Sequence, residues 1–324
     1  MTLPAFGPRW TTDRALGRTP LGIAWLVRDE GGTPRVATRL ASELVAAVHD
    51  RARTLAALRA LAHVEHPALL RTIDVIEDAD GGIVLVAEHT PVPSAAERLA
   101  RGETLPGAAV ARAGRTLADA LDATHRAGRH HGAIAPAFVH VGEEDTRIAG
   151  VGVLEALVAG GASAHRVADM MDARAWAPPE IARDVVDQRG DVYALGTTLY
   201  ALLTGKPPFG GRTTNFVMAA VLADEPATTG APRRSGGDET GETSRLTTVL
   251  LRAVEKAPDD RWPTMAAFLA ALEGRTERPD GIARTPDGVP VTEPASRLRG
   301  HGPRIAVLVA FAIVAFFLLC AHRT

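Results

Sequence analysis

The chain has 324 residues and one cysteine, Cys320, so no disulfide closes within it and no cysteine-based zinc site forms. Aromatic residues make up only 4%, against much alanine, arginine and glycine, a bias that says more about coding than about function. A formal net charge of -2 gives no general argument for nucleic-acid binding. Met1 to Arg9 is short and lacks the apolar stretch of a secretory signal. His130 and His131 are adjacent, and neighbours on a regular element face different ways, so no metal site is expected there.

What is present centres on Thr124 to Gly152, THRAGRHHGAIAPAFVHVGEEDTRIAGVG. It resembles the catalytic segment of a protein kinase with the chemically active side chains replaced. His131 takes the histidine of the His-Arg-Asp motif, Gly132 its arginine position and Ala133 the catalytic aspartate position. Ala135 stands for the lysine that follows, and Phe138 for the metal-binding asparagine. Gly150, Val151 and Gly152 fill the Asp-Phe-Gly triplet without its carboxylate. Phosphoryl transfer rests on positioning and charge stabilisation, so alanine, phenylalanine and glycine here remove the base and the magnesium ligands together. Glu143, Glu144 and Asp145 read as a solvated turn between two short strands, with replacement metal ligands as the alternative.

The N-terminal part resembles the same family. Gly17 and Gly22 keep two positions of a glycine-rich loop, but Thr19 replaces the middle glycine and Pro20 removes an N-H. Arg35 to Arg39 is similar to Val-Ala-x-Lys, with Arg39 in the lysine position. The resemblance assigns Gly17, Gly22, Arg39 and Glu88 to a nucleotide. The partner acid of Arg39 is expected about nine residues before His66-Pro67, where Ala57 stands; Glu43 is too early and Glu65 too late.

Residues that build the family fold are better kept. Ala177-Pro178-Pro179-Glu180 resembles Ala-Pro-Glu, and Asp187 to Gly196 resembles the start of the central large-lobe helix. The resemblance implies that Asp191 holds backbone N-H groups of the His131 loop and that Glu180 pairs with Arg261. Leu202 to Phe209 also matches, with Gly205 stopping the helix.

The implied fold is α+β and bilobal: a small antiparallel lobe over 9–90 and a mainly helical lobe over 91–274. Expected strands are Trp10 to Leu16, Gly22 to Arg28, Arg35 to Leu40, Leu70 to Glu77 and Gly82 to Glu88, with a helix over Val48 to Val64. Pro106 opens a helix to about Gly128, its inner face carrying Val110, Ala113, Leu117, Leu121 and Thr124. Leu154 to Trp176 takes the place of an activation loop and has one hydroxyl residue, Ser163. Thr229 to Ser244 reads as a surface insertion and Arg275 to Arg304 as a disordered linker.

Ile305 to Ala321 is seventeen residues without a charge. As a helix it spans roughly 25 Å, which Arg304 and Arg323 extend by snorkelling, so a single transmembrane helix is expected. Arg297, Arg299 and Arg304 precede it and only Arg323 follows, which puts the kinase-like domain in the cytoplasm and leaves residues 322–324 as a short tail outside.

The expected function is that of a membrane-anchored pseudokinase, a cytoplasmic scaffold or allosteric partner. The resemblance suggests an active kinase, a phospho-peptide-binding protein or cell-envelope machinery as partner, and linker residues Thr285 and Thr292 are accessible to another kinase. No cofactor is expected. Two alternatives stand beside this: a divergent kinase or nucleotidyl transferase, and a switch that binds ATP without magnesium.

Overall fold

The computed structural model describes residues 3–78, 80–209 and 240–275. The expected linker from residue 276 onward and the apolar segment Ile305 to Ala321 lie outside them. Among the described residues, no helix is long and apolar enough to cross a membrane.

Alternating side chains and short turns build the first lobe. Strands β1 (Thr11–Thr19), β2 (Gly22–Arg28) and β3 (Pro34–Leu40) are followed by helices α1 (Ser42–Ala46) and α2 (Arg51–Arg59). Strands β4 (Leu69–Leu70), β5 (Thr72–Glu77) and β6 (Ile83–Glu88) come next. Five of these make one antiparallel sheet in the order β1-β2-β3-β6-β5. Its two faces are separately apolar. Val27, Ala37, Val84 and Val86 pack under Phe6 and Trp10 on the outer face, while Leu40, Ile83 and Leu85 pack with Leu55 and Leu58 of α2 on the inner face.

The helix expected over Val48 to Val64 begins later, at Arg51. Asp50 is extended, and its side chain accepts from the Arg53 N-H at 2.9 Å, which starts α2. After Arg59 the chain tightens into a 3-10 turn, Ala60–His63.

The larger lobe contains α3 (Ala95–Ala100), α4 (Gly107–Arg126), β7 (Val139–Val141), β8 (Thr146–Ala149), α5 (Val153–Ala159), α6 (Ala164–Met170), α7 (Gln188–Thr204), α8 (Thr240–Ala253) and α9 (Met265–Leu272). Strands β4, β8 and β7 form a second small sheet. Val110, Ala113, Leu117, Leu121 and Thr124 of α4 are all buried. The first four share a core with Leu195 and Leu199 of α7, Leu250 of α8 and Phe268 of α9; each such leucine contributes about 1.5 to 3 kcal/mol by leaving water. Asp187 caps α7, accepting from Arg189 and Gly190, and Gly205 ends it at φ 80°. The insertion expected to reach Ser244 gives way to α8 at Thr240, where the inward Leu246 and Leu250 need a helix to be buried; its part from Thr229 to residue 239 lies outside the described residues.

Candidate functional site

The loop after α4 is set by one buried carboxylate. Asp191, fully buried near the start of α7, accepts from the backbone N-H of His131 and of Gly132, each at 2.8 Å, and from His125 Nε2 at 2.9 Å. Burial opposes its charge, yet the hydrogen bonds from His125 and from the His131 backbone leave its carboxyl below the usual range. His131 is buried too. Its Nε2-H donates to Ala149 O at 2.9 Å, its Nδ1 accepts from the Ala133 N-H at 3.3 Å, and burial pushes its imidazole below the ordinary value.

The degenerate positions come together beside it. Ala133 and Ala135 are each 2% exposed and Phe138 is 3% exposed. All three lie in one apolar cluster with Leu40, Leu55, Leu58, Val153 and Leu154. The Phe138 ring meets His131 edge-on, 5.5 Å between centroids. Its other neighbour is Gly150: a Cβ added there would sit 2.9 Å from Phe138 Cδ1, and Gly150 has φ 77°. The two positions that hold magnesium in the resemblance are thus packed against each other, ring on backbone. Gly132, the arginine position, also has positive φ, 73°, and a Cβ there would lie 3.0 Å from Leu154 and from Val186.

Arg39 requires correction. The β3–β6 register pairs Arg39 with Val84 and Thr38 with Leu85, so Arg39 shares the outer face with Ala37 and Val84. Its guanidinium reaches Asp78 at 2.6 Å and Asp80 at 3.5 Å, in the turn between β5 and β6. A lysine that pairs with an acid of the small-lobe helix must face that helix. Leu40, 4% exposed and packed with α2, is the residue that does so. Of the nearby acids, Glu43 is bonded to Ser42 and Glu65 pairs with Arg71 at 2.8 Å, while Ala57 packs against the same apolar cluster as Leu40.

The glycine-rich turn is drawn down onto β3. Ala41 N-H donates to Leu21 O at 2.8 Å, and a Cβ on Gly22 would fall 2.0 Å from Arg39 O. Leu21 packs against the apolar cluster that contains Leu40. Gly17, at φ 107°, lies at a register shift in β1, with open space where a side chain would be. The Glu88 carboxylate faces Arg71, which it meets at 3.1 Å.

Glu143, Glu144 and Asp145 form the β7–β8 turn, at the opposite end of four-residue β8 from Gly150, a distance on the order of 15 Å along the strand. Asp145 pairs with Arg147 at 2.8 Å. These acids therefore do not replace the missing ligands, and among the described residues no group of three or more His, Cys, Asp or Glu side chains could hold a metal ion. The donor set around Phe138, Gly150 and Leu40 does not fit a magnesium nucleotide: it offers neither a carboxylate for the ion nor a cation for the phosphates.

Elsewhere the fold-building residues converge. Arg261 Nη1 and Nη2 donate to Glu180 Oε1 at 2.6 Å and Oε2 at 2.8 Å. Its remaining N-H groups reach the carbonyls of Glu255, Lys256 and Arg189, so all five donors are used, and its guanidinium lies 4.9 Å from the Tyr193 ring centre. Residues Leu154 to Trp176 hold two helices, α5 and α6, where a loop was expected, because Leu154, Leu157, Ala164 and Val167 have an apolar face to bury. Ser163 caps α6 and donates to Asp184 at 2.8 Å.

Sequence reasoning did not single out Leu40, His125 or Gly160. Which of Arg39 and Leu40 turns toward the helix depends on how β3 pairs with its neighbours, so only the sheet identifies the inward residue.

Residues 10–269 match the family model for the protein kinase domain. The chain belongs to the protein kinase family. The serine/threonine-protein kinase PknB of Mycolicibacterium smegmatis is 30% identical over 227 residues, covering 65% of this chain and 34% of that protein. The probable serine/threonine-protein kinase SCO3848 of Streptomyces coelicolor is 26% identical over 311 residues, 91% of this chain and 45% of its own length. The chain thus spans between about a third and a half of these relatives. The crystal structure of the Mycobacterium tuberculosis PknI kinase domain superposes with a TM-score of 0.60 at 24% identity, covering 85% of this chain and 100% of that one. The match is one of fold: two lobes, an antiparallel sheet and a helical core.

Proposed function

We propose that this kinase-family chain is a pseudokinase, working as a membrane-tethered scaffold or allosteric partner. The observation that carries the reading is the apolar closure of the site: Ala133, Ala135 and Phe138 buried with Leu40, and the Phe138 ring laid over Gly150. Phosphotransfer in this fold needs a base, magnesium ligands and a cation on the phosphates. Alanine, phenylalanine, glycine and leucine supply none. The surrounding frame, Asp191 on the His131 loop and Glu180 on Arg261, is kept in full, which supports a role for shape without chemistry.

The partners suggested by the family resemblance are an active kinase, a phospho-peptide-binding protein or cell-envelope machinery. Tethering rests on the uncharged run Ile305 to Ala321, with three arginines before it orienting the domain to the cytoplasm.

Thermal unfolding of the full chain in detergent, with millimolar ATP or ADP and with or without Mg²⁺, tests the reading. The expected result is an unchanged midpoint. A ligand at a hundred times its dissociation constant adds about 2.7 kcal/mol, a rise of several degrees. A shift that depends on Mg²⁺ would overturn the pseudokinase reading in favour of a divergent transferase, and one independent of Mg²⁺ would indicate a nucleotide switch.

A further inference from the structure

The element after Gly152 does more than fill the place of an activation loop. Leu154 and Leu157 of α5 share a core with Leu55 and Leu58 of α2. At the end of α5, Gly160 O accepts the N-H groups of both His49 and Asp50, at 2.9 and 2.8 Å. Asp50 is the residue that caps α2, and its own carbonyl accepts Thr54 Oγ1 at 3.0 Å.

Gly160 is needed there for room rather than for backbone freedom. Its φ is -82°, which any residue adopts, but a Cβ would fall 1.8 Å from Thr54 Oγ1 and 3.0 Å from Asp50 O. Thr54 is itself fully buried, so it has nowhere to retreat.

The other end of α5 is tied to the His131 loop. The Glu155 carboxylate lies 3.5 Å from the His130 N-H, 3.8 Å from His130 Nδ1 and 3.9 Å from Arg129 Nη1. That loop is pinned in turn by Asp191. Beside it, Ala164, Val167 and Ala168 of α6 share a core with Leu44 of α1.

We propose that α5 is a strut fastening the small-lobe helix α2 to the large lobe, with the Gly160 carbonyl as its latch, so that the lobes hold one fixed arrangement. The strut joins α2, the His131 loop and α7 in an unbroken series of packed and hydrogen-bonded contacts. The exposed side of α2, carrying Arg53 and Arg59, is then presented as a constant surface. The proposal goes beyond the pseudokinase reading and does not depend on it, since a nucleotide-binding form of the chain would be held in the same way.

Hydrogen exchange of the full-length protein tests it. The expected result is that the amides of His49, Asp50, α2 and α5 share one opening event. In Gly160→Val, exchange at His49, Asp50 and α2 rises roughly 10- to 100-fold, as loss of two backbone hydrogen bonds and a displaced helix would give, while α4 and α7 keep their protection. Unprotected His49 and Asp50 amides in the native protein, or unchanged protection of α2 in a folded Gly160→Val variant, would overturn the proposal. Should that variant not fold, exchange of the native protein in rising denaturant decides: opening of α2 and α5 as one unit supports the strut, and separate openings refute it.

Discussion

At the scale of single residues, the site positions differ in what they cost to change. Restoring the family's magnesium ligands by Phe138→Asn with Gly150→Asp is expected to destabilise the protein by about 3 to 5 kcal/mol and to restore no nucleotide binding. Truncating a buried aromatic leaves a cavity, and a carboxylate at Gly150 enters at positive φ with no partner. Denaturant unfolding and a nucleotide titration of the double variant check both halves. Arg261→Ala is expected to cost about 3 to 5 kcal/mol, because it leaves the mostly buried Glu180 carboxylate unpaired and removes a guanidinium that uses all its donors. If denaturant unfolding shows a loss below about 1 kcal/mol, the pair is only a surface contact.

At the scale of elements, β3 decides between two neighbours. Leu40→Ala is expected to cost about 2 to 5 kcal/mol, whereas Arg39→Ala, which loses an exposed pair with Asp78, costs about 0 to 1 kcal/mol. The reverse order in unfolding measurements would put Arg39 back in the inward position. The late start of α2 belongs to the same scale. Composition over Val48 to Val64 favours a continuous helix, but the N-H groups of His49 and Asp50 point out of the helix toward Gly160, a partner more than a hundred residues away.

At the scale of the whole molecule, buried histidines make stability depend on pH. Burial lowers the pKa values of His131, His140 and His89, each from an ordinary value of 6.5. The unfolded chain therefore takes up protons below pH 6.5 that the folded chain resists, and stability is lost as the pH falls through that value. His130 acts oppositely: Glu155 raises it, so its contribution is present at low pH and fades as the pH rises through its folded value. Three groups against one predict a thermal midpoint that falls between pH 7.5 and 5.5. Ring signals in a nuclear magnetic resonance titration check the assignment, with His130 charged at pH 6 and His131 still neutral.

The linear order of residues determined the face of α4 that is buried and, through the resemblance, the family fold and which side chains stand at the motif positions. The first is local, a 3.6-residue period, and the others follow from motifs that keep the family's order. The Asp191 and Glu180–Arg261 contacts were legible only as what the family resemblance implies. Tertiary structure alone decided that Arg39 faces outward and Leu40 inward, because strand register depends on the neighbouring strand and a shift of one residue exchanges the two faces. It also decided that Phe138 covers Gly150 and that Gly160 receives the start of α2, since close packing between distant segments is set by the space left when the core is filled.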